Sequence, residues 1–142
     1  MICVDPTPPV TTADATGADL RTTAFLQPAI ATLDAAGLWQ RLLPHAAPLQ
    51  IMRIIDAGGE TFEPRIIKDF DAAEISDQPF GWNLPNWLLR REMLARLSEL
   101  PNVSFLPGLA TTRLLTRESA ALVTLSDGQK ISARLLIAAD GR

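Results

Sequence analysis

Two aspartates close apolar runs in this sequence. Asp5 follows Ile2-Cys3-Val4, and Asp140 follows Leu135-Leu136-Ile137-Ala138-Ala139. In open α/β sheets, ligands sit beyond the carboxyl ends of the strands. A carboxylate at that place accepts hydrogen bonds from ribose or ribityl hydroxyls. Gly141, directly after Asp140, lets a backbone come close to a ligand. The plainer alternative is that Asp5-Pro6 and Asp140-Gly141 are turn residues and nothing more. Arginines add to the pattern. Arg21 precedes the first expected helix, and Arg90 and Arg91 lie in the first turns of the second. A cation there works against the helix dipole, which favours anions at the N-terminus. A facing phosphate would account for it; ordinary solvation of the side chain is the alternative.

No arrangement for covalent catalysis accompanies these residues. The one histidine, His45, lies in the proline-bounded connector PHAAP, which places no base for a Ser-His-Asp or Cys-His site. Cys3 sits in an apolar run and reads as inert core. Asp69, Asp71 and Glu74 read as an acidic loop, not as a carboxylate pair held at fixed distance. Trp39, Trp82 and Trp87 read as core or interface residues. A single Cys closes no internal disulfide, and one His with one Cys builds no zinc cluster. With 16 acids against 13 bases the formal charge is -3, which gives no reason to expect a nucleic-acid surface. The 142 residues, 47% hydrophobic and 20% charged, suit about one globular domain. The longest uncharged stretch, Leu100 to Thr112, has 13 residues, short of the roughly 20 that a spanning helix needs. The N-terminus, MICVDPTPP, shows no export signal. A cytoplasmic location is expected, with peripheral contact at the inner face of the membrane left open.

These side chains need elements to hold them. Met1 to Val4 reads as the tail of a buried strand and residues 6–18 as a loop. A helix is expected to begin near Pro28, with Leu26, Ala29, Ile30 and Leu33 on its buried face and Gly37 at its end. Leu38 to Leu43 reads as a short helix or turn. Leu49 to Asp56 and Thr61 to Asp69 read as strands joined through Gly58-Gly59. Asp69 to Pro79 reads as a loop, and Phe80 to Leu84 as a short strand. Asn86 to Leu100 is the clearest helix, capped by Asn86. It has Leu89, Met93, Leu97 and Leu100 on one face and Glu92 paired with Arg96 on another. Val103 to Leu106, Ala110 to Leu115, Ala121 to Leu125 and Lys130 to Arg134 read as strands, with a hairpin turn at Asp127-Gly128. Leu135 to Ala139 reads as a strand covered on both faces. This order predicts α/β with a partly parallel sheet and a β-meander.

Three segments together resemble a known family. They are ADLRTTAFLQPAIATLDAAGLW (18–39), LPNWLLRREMLARL (84–97) and VTLSDGQKISARLLIAADGR (123–142). In order and spacing they are similar to the FAD-dependent aromatic hydroxylases (class A flavin monooxygenases), in the ubiquinone-biosynthesis branch. The resemblance implies a partial Rossmann-like FAD-binding domain of the para-hydroxybenzoate-hydroxylase kind, with a β-meander and the beginning of a β-rich substrate domain. Residues 1–48 and 85–142 would then belong to the FAD-binding domain, and 49–84 to the first substrate-domain strands. Asp5 matches the acid that ends the second Rossmann strand and holds the adenosine ribose. Arg21 matches an arginine that contacts the flavin nucleotide. Arg90 opens the pattern Arg-x-x-Met93-x-x-x-Leu97, whose first residue contacts the cofactor. Asp140 matches the aspartate at the pyrophosphate or ribityl region, and Gly141 permits close packing there. The resemblance implies FAD as cofactor, NAD(P)H as reductant, O2 as oxygen source and a small aromatic or quinone-precursor substrate. It implies other subunits of a quinone-biosynthesis assembly as partners, and no metal or oxygen-transferring side chain among these residues.

The sequence departs from the family in two places. No Gly-x-Gly-x-x-Gly loop precedes Asp5, and no Gly-Asp-Ala motif is present. The chain therefore reads as an internal piece of a longer enzyme. Two rivals stand beside that reading: a non-catalytic or truncated fragment needing a partner chain at exposed strand edges, and a related FAD-dependent reductase of prenyl chains. The glycine-rich loop seats the pyrophosphate on a helix N-terminus. Without it, the 142 residues alone are expected to bind FAD weakly or not at all. A flavin titration of the purified chain checks this, and tight stoichiometric binding would contradict it.

Overall fold

The computed structural model describes residues 1–59 and 63–139. In chain order the elements are β1 (Ile2–Asp5), β2 (Thr22–Leu26), α1 (Gln27–Ala35), α2 (Trp39–Leu42), β3 (Ala47–Pro48), β4 (Ile51–Asp56), β5 (Ile66–Asp71), β6 (Gly81–Pro85), α3 (Asn86–Ser98), β7 (Ser104–Pro107), β8 (Thr111–Thr116), β9 (Ala121–Leu125) and β10 (Lys130–Ala133). They form two compact units, Val10–Arg96 and Met1–Pro9 with Leu97–Arg142.

In the first of these units, β6 is the middle strand of the sheet β2-β6-β3. The run Thr22-Thr23-Ala24-Phe25-Leu26 supplies β-branched and aromatic residues that suit a strand, and it pairs antiparallel with β6 from Thr22↔Pro85 to Leu26↔Gly81. The sequence pattern had assigned no strand here. Leu26, expected on the buried face of the first helix, instead ends β2 and is 57% exposed. Gly81 is there because nothing larger fits. A Cβ on it would run into the Phe25 carbonyl oxygen and lie 2.9 Å from the Leu26 Cα. Helix α1 starts with a proline in its first turn and stops before Gly37, whose φ of 73° is open to glycine.

The core of this unit joins α1, α2, β6 and α3. Leu33, Leu38, Trp39, Leu42, Leu84, Leu88 and Leu89 are buried together, with Phe25, Ile30, Ala46, Trp82 and Trp87 packed against them. Trp39 and Trp82 meet edge to face at 5.7 Å. The buried stripe of α3 differs from the expected one. Leu88 and Leu89 are inside, while Met93 is 39% exposed. The fully buried residues of α3 lie in its first turn, where they join Leu42 and Leu84 in the core cluster.

Strands β4 and β5 form a separate two-stranded ribbon. The return strand begins at Ile66, later than expected, after Pro64, which has no N–H for the ladder. It continues to Asp71, into the residues expected to be loop, because Asp69 lies opposite Arg53 and forks it at 2.8 Å through both oxygens. Ile51, Met52, Ile54, Ile55, Ile66 and Ile67 are all more than half exposed.

In the other unit, β1 and β7 run parallel, from Ile2↔Ser104 to Asp5↔Pro107. Strands β8, β9 and β10 form an antiparallel meander with a register shift between Thr111 and Arg113. Ala121, Val123 and Leu125 alternate on the buried face of β9. The β9–β10 turn is built as the Asp-Gly signal predicts. Gly128 has φ 88° and Asp127 Oδ1 accepts the Gln129 N–H at 2.9 Å. Leu135 to Ala139 is a correction: these residues form no strand, and Leu135 and Ile137 are each 73% exposed. A doubly covered strand needs ladder partners, and none of the described strands pairs with this run.

Gly81→Ala is expected to destabilise the fold by about 1–3 kcal/mol, since the added carbon overpacks backbone that cannot retreat without breaking the β2–β6 ladder. Urea unfolding of the two proteins measures it, and an unchanged midpoint would contradict the close approach.

Candidate functional site

Arg21 lies just before β2, and Asn86 opens α3. The β2–β6 ladder brings them side by side, so that the Asn86 N–H donates to the Arg21 carbonyl at 3.0 Å. Between them sits a carboxylate that the sequence pattern did not single out, Asp19. Its Oδ1 accepts the Arg21 Nε at 2.8 Å and the Arg21 backbone N–H at 3.2 Å. Its Oδ2 accepts the Arg21 Nη2 at 2.9 Å, the Asn86 Nδ2 at 3.0 Å and the Arg90 Nη2 at 3.4 Å. Asn86 was expected to cap its helix. Its side chain instead bridges Asp19 and Thr23, whose hydroxyl donates to Asn86 Oδ1 at 2.6 Å.

The burial gradient across this cluster is steep. The Asp19 side chain is 11% exposed, Arg90 42% and Arg21 83%. The shielded member is the anion and the most solvated is the cation. The Arg21 fork above all, and then the Asn86 amide, hold the Asp19 carboxyl well below the usual carboxylate range; burial opposes them more weakly. Asp19 in turn raises the Arg21 pKa. Both groups therefore stay charged at any physiological pH. The two guanidinium groups and one carboxylate leave a net positive cluster. Among the described residues, the Arg21 Nη1 makes no hydrogen bond, and the side chain that carries the Nη1–Nη2 edge is largely in solvent. That edge is the size and shape for two oxygens of a phosphate.

The cation near the start of α3 thus has an anion within the protein. Arg90 opposes the helix dipole, and Asp19 compensates it. Arg91, beside it, donates to Glu92 at 2.9 Å and lies 5.4 Å from the centre of the Trp87 ring. Arg21 is not at a helix start, as the sequence had placed it, because β2 intervenes before α1.

Of the other expected site residues, Asp5 belongs to the second compact unit. It ends β1, as expected, at the carboxyl end of a parallel pair. Its Oδ1 accepts the Thr7 N–H at 2.9 Å, and its carbonyl accepts the Gly108 N–H at 2.8 Å. That is turn chemistry, and it leaves Oδ2 with no hydrogen bond among the described residues. Asp140 and Gly141 lie outside the described residues. No group of three or more potential metal ligands occurs among the described residues, and none of their helices is long and apolar enough to cross a membrane.

The chain is 35% identical over 128 residues to the ubiquinone hydroxylase UbiL of Rhodospirillum rubrum, a match covering 90% of this chain and 28% of that protein. It is 27% identical over 107 residues to the ubiquinone hydroxylase UbiM of Neisseria meningitidis, covering 75% of this chain and 23% of that protein. The chain is related to the ubiquinone hydroxylases. It spans about a quarter of the length of these curated relatives. No protein-family model matches it. In structure, this ubiquinone-hydroxylase relative resembles PqsL of Pseudomonas aeruginosa, described as a probable FAD-dependent monooxygenase. The TM-score is 0.74 and the identity 21%, with 99% of this chain and 35% of that one covered. The fold is accordingly the mixed α/β, several-sheet fold of flavin monooxygenases.

The depressed acidity of Asp19 has a defined sign. Its folded pKa lies below the unfolded value of about 3.9, so its contribution to stability is complete above about pH 5 and is lost as pH falls below about 4. Asp19→Asn is expected to flatten the acid limb of stability against pH. Denaturant midpoints of both proteins between about pH 5 and 2 measure this; parallel acid limbs would contradict it.

Proposed function

We propose that this chain is part of the FAD-binding portion of a flavin-dependent monooxygenase that hydroxylates an aromatic ring of a quinone precursor, using NAD(P)H and O2. The observation that carries the reading is the exposed phosphate-shaped edge of Arg21, beside Arg90, in a chain related to ubiquinone hydroxylases. Residues 1–48 and 85–142 belong, on this reading, to a Rossmann-like cofactor domain, and 49–84 begin the substrate domain. PqsL has a crystal structure in complex with 2-aminobenzoylacetate, a small aromatic compound, which supports a ring-sized substrate. We place the enzyme in the cytoplasm, with peripheral contact at the inner face of the membrane where an apolar quinone precursor would be met, beside other proteins of quinone biosynthesis.

The residues present fit the cofactor's charge. A dinucleotide carries a pyrophosphate, and a net positive cluster with a free guanidinium edge complements it. FAD, when bound, supplies the redox chemistry and the activation of oxygen. The roles of this chain are binding and orientation. Arg21 takes phosphate oxygens through its open edge, and Arg90 adds a second positive charge at the start of α3. Asp5 accepts ribose hydroxyls through Oδ2, with its turn bond to Thr7 fixing the carboxylate. Asp140 binds the pyrophosphate or ribityl region, and Gly141 lets the backbone approach it.

Titration of the chain with ADP, followed in 1H–15N spectra of the arginine Nε–H groups, tests the site. The Arg21 signal is expected to move with ADP and to stay with adenosine. Arg21→Ala is expected to weaken ADP binding by about tenfold, the loss of one charge-assisted pair. Equal affinity in the two proteins would overturn the assignment.

A further inference from the structure

We propose that Asp19 is a positioning residue, whose carboxylate grips the Nε–Nη2 edge of the Arg21 guanidinium and so presents the adjoining Nη1–Nη2 edge to a nucleotide phosphate. The inference rests on the anion-binding role proposed above for Arg21, and it adds a residue that neither the resemblance nor the relatives assign.

A guanidinium has five N–H donors arranged around a plane. Asp19 occupies the Nε–H and one Nη2–H, at 2.8 and 2.9 Å. The Nη1–Nη2 edge adjoins the occupied one through Nη2 and lies in the same plane, with its own pair of N–H donors. A second oxyanion can therefore dock end-on without displacing the first. The anchor itself is held from three sides. The Arg21 backbone N–H fixes Oδ1, while Asn86 Nδ2 and Arg90 Nη2 fix Oδ2. Asn86 is locked in turn by the Thr23 hydroxyl at 2.6 Å. A shielded anchor thus holds a side chain that is 83% exposed. A free arginine surrenders rotamer freedom when it binds; one already held in place surrenders less.

Charge and position act in opposite directions here, which makes the inference testable. On charge alone, a carboxylate beside Arg21 weakens anion binding. On position, it strengthens it. Asp19→Glu keeps the charge and moves the fork by one methylene. Expected is a loss of ADP affinity of about threefold or more, read by calorimetric titration of the full chain with ADP, a readout that survives replacement of Arg21, with backbone amide signals away from the site unchanged. In an Arg21→Lys background, which keeps the cation and removes the fork, Asp19→Glu is expected to cost nothing further. Affinity equal to or above that of the unaltered chain overturns the proposal. A loss that persists undiminished in the Arg21→Lys background also overturns it, because Asp19 would then be only a structural tie. Should Asp19→Glu fail to fold, Asp19→Asn decides. Tighter ADP binding there means that charge alone acts and the proposal fails; weaker binding, despite the added positive charge, supports it. If Arg21→Lys and Arg21→Ala both leave ADP affinity unchanged, the phosphate reading itself has failed and Asp19 has nothing to position. That result differs from one in which Arg21 matters and Asp19 does not.

Discussion

The register of β2 on β6 is the constraint from which the site follows. Thr22 lies opposite Pro85, so the residue before one strand abuts the first residue of a helix far along the chain. Asp19 and Asn86 are 67 positions apart and share a hydrogen bond. A slip of one residue would turn every side chain of β2 to the other face. It would also part Arg21 from the start of α3. The close approach at Gly81 pins that register at the far end of the strand, and the leucines and tryptophans behind β6 hold the sheet against α1, α2 and α3.

The electrostatics follow from this placement. A helix N-terminus is a poor place for arginine, yet α3 carries Arg90 in its early turns. The carboxylate of Asp19 resolves the conflict by facing both Arg90 and Arg21 from the preceding loop. The result is a balanced and still positive corner with one guanidinium turned outward. The Arg21 side of the pair lies largely in water and is screened there, and the pair matters for geometry as well as for acid stability. It orders a long side chain at the surface.

Much of the architecture was legible because local chemistry and global fold agreed. Asp127-Gly128 made its hairpin, Pro28 opened α1, and the β-branched run at the start of the chain became a parallel strand. Arg21 and Arg90 were singled out by their positions, and the structure brings both to one internal carboxylate, Asp19. Asp19 was not. Its signal, an aspartate accepting the N–H two residues on, is shared by Asp5, Asp56, Asp71 and Asp127, so local spacing could not mark it out. Only a contact made across the sheet does so. The strand at 22–26 was missed for the same reason: its partner, β6, lies beyond two helices and a ribbon. Residues 135–139 erred in the other direction. An apolar run reads as a buried strand, but burial depends on neighbours that a single segment does not reveal.

The β4–β5 ribbon is held by one ladder and two exposed arginine–aspartate pairs, the Arg53–Asp69 fork and the single-nitrogen contact Arg65–Asp56, with isoleucines bare on both sides. Two strands alone are marginal in water. Their amide protons would therefore exchange with solvent well ahead of those in β6.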